Sequence, residues 1–269
     1  MSEDPPPAGT ALRHSLWNLL FRIVSSTDHS RTAWTAILRG SCLCFFKSPI
    51  DELPLSDNEA SRRDFRDCFY ALPDHRVYDL YEFLLSDDRA GLKEADRKLI
   101  RHNVNRVLDE ELAPVRLLRD RFVPLADSAG FDAVAGAEES LSLFGMEAAA
   151  RHQANAIAFL SRRPEPAAAD AVREAVLAVA AVVRTLSGAT GPIAVGTVQP
   201  VAERLAIGAE LSAGVEALLR RAHAASGLPG ATPAPVDFAE AKLLVVLCSS
   251  LIEFLLARSG REDVPNLKA

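Results

Sequence analysis

The sequence lacks the features that mark three large classes of protein. Its four cysteines include no C-x-x-C pair, so neither a disulfide framework nor a zinc knuckle is predicted. The most apolar stretch, residues 241–257, contains a lysine, a glutamate and two serines, which makes it too short and too polar to span a bilayer. The formal net charge of −6 gives the molecule no long-range attraction for nucleic acid or anionic membranes. Any contact with RNA would therefore depend on a local patch.

Motifs for common catalytic sites are missing as well. The sequence contains no glycine-rich phosphate loop, no histidine and glutamate pattern of a metal-binding helix, and no nucleophile elbow around a serine. We therefore expect no cofactor and no metal. Asp4 and three prolines occupy the place where a signal peptide would need a basic end and an apolar run, so we expect a cytoplasmic protein that does not contact membranes.

The composition and the periodicity that are present predict a mainly α fold. Hydrophobic residues make up 49% of the 269 residues and charged residues 25%, as in an ordinary globular protein. The sequence becomes richer in alanine and leucine after its midpoint, which predicts two helical domains, 11–130 and 131–260. Residues 1–10 are predicted to be a disordered lead, and residues 261–269 a tail.

The first half has apolar residues at helical spacing in five places. The predicted helices surround Leu16, Trp34, Phe69 and Leu80, and the fifth spans residues 94–112 before Pro114 ends it. Residues 115–125 are short and rich in valine, leucine and phenylalanine, so a small β-hairpin is predicted there.

The second half predicts four helices, the last with the clearest start. They cover about residues 143–162, 170–188, 201–225 and 237–258. Asp237 followed by Glu240 has the spacing of a capping box before an apolar run. Because apolar residues surround most of this last helix, it is predicted either to lie at the centre of its domain or to form a dimer face.

Three segments of the first half carry a family resemblance. They are LRHSLWNLL at 12–20, VYDLYEFL at 77–84 and NRVLDEELAPVRLLRDRFVPLAD at 105–127. In these segments the chain resembles the N-terminal domain of AbiJ-type abortive-infection proteins, a module of bacterial anti-phage proteins. The resemblance covers most of residues 11–145 and implies a helical domain with a role in defence.

Three segments of the second half resemble another helical domain that is often fused to the first. They are ARHQANAIAFLSRR at 150–163, REAVLAVAAVVRTLSG at 173–188 and VDFAEAKLLVVLCSSLIEFLL at 236–256. They resemble the HEPN fold, which RNA-cleaving toxins share with relatives that do not cleave RNA. The resemblance implies a bundle of helices whose polar loop residues decide whether the domain is a ribonuclease.

The reactive positions of that family are replaced in this chain. Where the family has Pro-Asp-Tyr-Arg, three alanines follow Pro166, and Ala180 replaces the glutamate of Ala-Val-Glu-Ala in the middle helix. The loop before the last helix has Leu228, Pro229 and Gly230 where the family has isoleucine, arginine and histidine. Cleavage of RNA needs a proton acceptor and a cation, which these residues cannot supply. The resemblance therefore implies a degenerate site without catalytic residues.

The ribonuclease motif places a histidine a few residues beyond an arginine, and the chain contains two such pairs. They are Arg22 with His29 and Arg97 with His102, both in the first half rather than beside the last helix. Two matches in a chain of this composition are what chance produces.

One face of the fifth predicted helix is a candidate anion or RNA contact. It carries Arg97, Arg101, His102 and Arg106, whose cationic groups could hold phosphate oxygens. The alternative is a solvated face whose cations pair with nearby acidic residues.

Three functions remain open at this point. The first hypothesis is a non-catalytic interaction component of an anti-phage or toxin-control system, acting as a homodimer or with a protein from the same operon. The second is a ribonuclease that uses non-standard residues such as Arg97 and His102, and the third is a module that binds a nucleotide or RNA without cleaving it. For the first hypothesis the predicted interface is on the last helix, at Leu243, Val246, Leu247, Ile252, Phe254 and Leu255.

Overall fold

The structure is a computed structural model that describes residues 9–26, 30–49, 51, 59–189, 197–229 and 234–260. The chain divides into two compact units, Met1–Ala126 and Asp127–Ala269. The predicted tail and most of the predicted lead lie outside the described residues. Thr10, which was assigned to the lead, begins the first helix instead, where the carbonyl of Gly9 accepts a hydrogen bond from the Arg13 amide at 3.1 Å.

The predicted mainly α fold is confirmed. The second helix of the first unit continues into a π-helical segment at Ser41–Phe46, and a single 3₁₀ turn at Asp88–Ala90 precedes the fifth helix. The α-helices described in the first unit are α1 (Thr10–Ser25), α2 (Ser30–Gly40), α3 (Glu59–Ala71), α4 (Asp74–Ser86) and α5 (Glu94–Glu110). Those described in the second unit are α6 (Ser128–Leu143), α7 (Glu147–Leu160), α8 (Ala168–Ser187), α9 (Gln199–Ala202), α10 (Ala209–Ser226) and α11 (Phe238–Gly260).

The predicted β-hairpin is present at the end of the first unit. Strands β1 (Arg116–Leu118) and β2 (Arg121–Val123) pair antiparallel, with Leu117 opposite Phe122. Asn105 on α5 fixes the hairpin, because its side chain accepts from the Leu117 amide at 2.7 Å and donates to the Leu117 carbonyl at 2.9 Å. A side chain of α5 therefore anchors the backbone of the hairpin, a contact that an isolated pair of short strands would lack.

Aromatic side chains form much of the core of the first unit. Trp17 on α1 packs against Phe69 on α3 with ring centroids 5.3 Å apart, and Tyr78 on α4 lies 4.9 Å from Phe122 in the hairpin. The buried hydroxyl of Tyr81 donates a hydrogen bond to the Leu16 carbonyl at 2.5 Å. These contacts tie α1, α3, α4 and the hairpin into one core.

Helix α8 is the main packing element of the second unit. Its inward residues are alanines and valines, which let α7, α10 and α11 all pack closely on it. Gly188 ends the helix in the left-handed conformation, with a φ of 66°. Helix α11 packs mainly on α6 and α8, and in the described residues it makes little contact with α10.

Two predicted boundaries in the second unit are corrected. Helix α6 was not predicted, because its serines, glycines and alanines give a weak apolar stripe; it begins after Asp127, whose side chain accepts from the Gly130 amide at 2.6 Å. The predicted boundary at Gly130 therefore lies inside α6. The helix predicted over residues 201–225 is two helices, since the chain reverses at Ala206, which has a φ of 50°.

Candidate functional site

An apolar groove runs between α10 and α11 on the surface of the second unit. Its volume is about 230 Å³. Leucine and phenylalanine side chains form most of its walls, and Ser250 is the only hydroxyl among the lining residues. The lining residues are Leu211, Val215, Leu218, Leu219, Ala222, Leu244, Leu247, Cys248, Ser250, Leu251 and Phe254.

The groove forms because α10 and α11 both pack against a third helix, α8. The two helices make little contact with each other, which leaves apolar residues such as Leu211 and Leu218 exposed along the groove. Leu211 and Leu218 lie two helical turns apart on α10, and Leu247 and Phe254 are related in the same way on α11. From Leu211 to Ala222 the groove extends about 17 Å at the helical rise, which is three turns of helix. Its length and lining fit the apolar face of another helix.

The rim of the groove exposes large apolar side chains. Leu211 is 50% exposed and Leu218 is 45% exposed, while Leu243 beside the groove is 55% exposed. Leu211 and Leu218 therefore add exposed apolar area to the groove that they line.

The six residues of the interface predicted on α11 differ in their exposure. Leu247 and Phe254 line the groove, Leu243 is exposed, and Val246 is half-buried. Ile252 and Leu255 are a correction, because both are fully buried and are not accessible to a partner. Helix α10 supplies the other wall of the groove. Its residues were not included in the predicted interface, although Leu211, Val215 and Leu218 have the spacing of an amphipathic helix.

The structure describes three of the four positions at which the resemblance implies a degenerate site. Ala180 is half-buried on α8, and Leu228 and Pro229 follow the end of α10. Gly230 lies outside the described residues. An ion pair between Arg221 and Glu240, at 2.6 Å, links α10 to the start of α11 in this region. The Asp237 carboxylate accepts from the Glu240 amide at 2.8 Å, so the predicted cap is present, but the Glu240 side chain pairs with Arg221 instead of completing the box.

A histidine and glutamate pair in the second unit was missed by sequence reasoning. Nδ1 of His152 on α7 lies 2.8 Å from Oε2 of Glu174 on α8, and the Asn155 amide donates to the same oxygen at 3.2 Å. Partial burial raises the pKa of the Glu174 carboxyl, but these hydrogen bonds outweigh it and hold that pKa below its ordinary value. The signal available in the sequence was His152 and Asn155 on one face of α7.

The cationic face predicted on α5 is divided by the structure, which corrects two of its members. Arg97 is 7% exposed and pairs with Asp88 at 3.0 Å, so it does not lie on an open surface. Arg101 pairs with Asp120 at 2.6 Å and with Glu94 at 2.8 Å. His102 and Arg106 are exposed.

Two other findings concern metals and membranes. In the described residues, no group of three or more histidine, cysteine, aspartate or glutamate side chains could hold a metal ion. Among the helices that the structure describes, none combines the length and the hydrophobicity that a bilayer crossing requires.

Comparison with known proteins gives no relative for this chain. Neither protein-family models, nor curated proteins, nor solved structures provide a match.

Proposed function

We propose that this chain is a non-catalytic interaction component of a bacterial anti-phage or toxin-control system, and that its second unit associates with a second copy through the groove between α10 and α11. The observation that carries the proposal is the groove itself, with its apolar walls and its rim of exposed leucines. The link to defence rests on the resemblance of the first half to the N-terminal domain of AbiJ-type abortive-infection proteins and of the second half to the HEPN domain that is often fused to it.

A second copy is the first occupant because the same surface offers both a groove and side chains to fill it. Leu211 and Leu218 line the groove and are about half exposed, so they can insert into the matching groove of another copy. A twofold interface requires this kind of self-complementary surface. To occupy the same groove, a helix from a different protein would need an apolar face about as long as the groove.

A ribonuclease is supported less well by the geometry. The pair that the alternative requires is split, because Arg97 is buried in ion pairs while His102 is exposed on the same helix. A catalytic cation and base must both reach one phosphate group. The ion-paired guanidinium of Arg97 does not meet this requirement.

The proposal is tested by measuring mass in solution. The unmodified protein should sediment as a dimer at micromolar concentration, and Leu218→Glu should shift it to monomer, because each dimer would then place two carboxylates in an apolar interface. Leu143→Glu is the matched control, since Leu143 is 77% exposed on α6 and does not line the groove. That variant should remain a dimer.

Two outcomes would contradict the proposal. One is a monomer across the whole concentration range. The other is a dimer that persists in Leu218→Glu with unchanged dissociation constant, which would place the interface elsewhere.

A further inference from the structure

A second groove lies in the first unit, between α1 and α5, and it is polar. Its volume is about 450 Å³, within the range of sites for small ligands. Helix α1 contributes Ser15, Asn18, Leu19 and Arg22, and α5 contributes Arg106, Val107 and Glu110.

Two guanidinium groups in this groove lack a carboxylate partner. Among the described residues, Arg22 forms no ion pair, and Arg106 makes only a long hydrogen bond to Asn103 at 3.4 Å. Two arginines elsewhere in the unit are neutralised, Arg97 by Asp88 at 3.0 Å and Arg116 by Asp109 at 2.5 Å. The lining residues carry these two cations and one carboxylate, Glu110, so the groove has a net charge of +1 that a bound anion would neutralise.

The remaining polar groups of the groove favour an anion that also carries hydrogen-bond donors. The Asn18 amide is exposed and can donate to a phosphate oxygen. The Glu110 carboxylate would repel a bare phosphate but can accept hydrogen bonds from a hydroxyl or amino group. Ser15 is already used, because its hydroxyl donates to Glu111 at 2.6 Å.

We propose that the groove between α1 and α5 binds a small phosphorylated ligand of the nucleoside monophosphate class, with Arg22 and Arg106 on the phosphate and Glu110 on a donor group of the ligand. This site is independent of the association groove in the second unit. A small ligand fits better than RNA, because Arg97 and Arg101 are neutralised and do not extend the positive surface along α5.

The test is titration of the full chain with AMP, inorganic phosphate and a single-stranded RNA oligonucleotide, followed by calorimetry. AMP should bind, and Arg22→Gln or Arg106→Gln should each weaken it by about tenfold or more, the effect of losing a charge-assisted hydrogen bond to an anion. Lys98→Gln is the matched control, because Lys98 is an exposed cation of α5 outside the groove, and it should leave AMP binding unchanged. Glu110→Gln should strengthen the binding of inorganic phosphate and weaken that of AMP.

Three results would overturn the proposal. The first is a Kd for AMP weaker than about 10 mM. The second is an equal loss of affinity in Lys98→Gln and Arg106→Gln, which would indicate general attraction along α5. The third is RNA binding that depends on Arg22 and Arg106 without any AMP binding, which would assign the groove to a polymer.

Discussion

The hydrogen bonds that converge on Glu174 make this carboxylate the clearest pH-dependent contact of the second unit. Its pKa lies below the ordinary 4.5, so the folded protein favours the charged form. The stability it contributes is therefore present above pH 4.5 and is lost as the pH falls through the lowered pKa. Glu174→Gln should reduce the free energy of unfolding at neutral pH by about 1 kcal/mol, a value that allows for partial solvent screening.

Urea denaturation at neutral pH and at about pH 3 measures this effect, and the gap between variant and unmodified protein should close at the lower pH. Glu139→Gln serves as the control, because Glu139 is exposed on α6 and has no partner among the described residues. A gap of the same size at both pH values would mean that the charge of Glu174 is not what stabilises the fold.

Single residues also show how far sequence reasoning reaches at the site. The non-polar residues Ala180, Leu228 and Pro229, at positions where the resemblance implies polar ones, could be identified from the sequence alone. The pairing of Arg97 with Asp88 was not, because it depends on a 3₁₀ turn that brings an acidic residue of another segment against α5. Of the four residues predicted to contact an anion, His102 and Arg106 are therefore exposed, and only Arg106 lines the groove, together with Arg22 from another helix.

At the scale of helices, α11 separates residues that the sequence presents as equivalent. Leu255 is fully buried against the rest of the second unit, whereas Leu247 lines the open groove. We expect Leu255→Glu to unfold the unit, because a carboxylate in the core has no partner and costs more than about 4 kcal/mol. Leu247→Glu should keep its helicity and lose association.

Circular dichroism and sedimentation on the same samples distinguish these outcomes. If Leu247→Glu lost as much helicity as Leu255→Glu, then the groove would be part of the core rather than an interface. If Leu255→Glu remained folded, then Leu255 would not be part of the core of the second unit.

The elements themselves were predictable where the apolar period was strong, as in α5 and α8, and where a polar cap was visible, as at Asp237. Helix α6 was missed because Gly130, Gly136 and its serines dilute the period. The groove could not be predicted, because the limited contact between α10 and α11 depends on how both pack on α8, and periodicity within one helix does not contain that information.

At the scale of the whole molecule, the composition and the described site positions both argue against cleavage of RNA. The net charge of −6 does not concentrate RNA at the surface, and Arg22 and Arg106, which line the groove of the first unit, have no acid and base pair assigned to them. We therefore expect purified protein to leave total and transfer RNA intact during extended incubation.

Replacing Pro229 by arginine and Gly230 by histidine should not create activity, because Ala180 and the alanines after Pro166 would still lack the acidic and cationic groups, and catalytic groups act as a unit. Gel analysis of both proteins provides the measurement, with a known ribonuclease as the positive control. Cleavage by the unmodified protein that disappears in His102→Ala would instead identify a ribonuclease centred on the exposed face of α5.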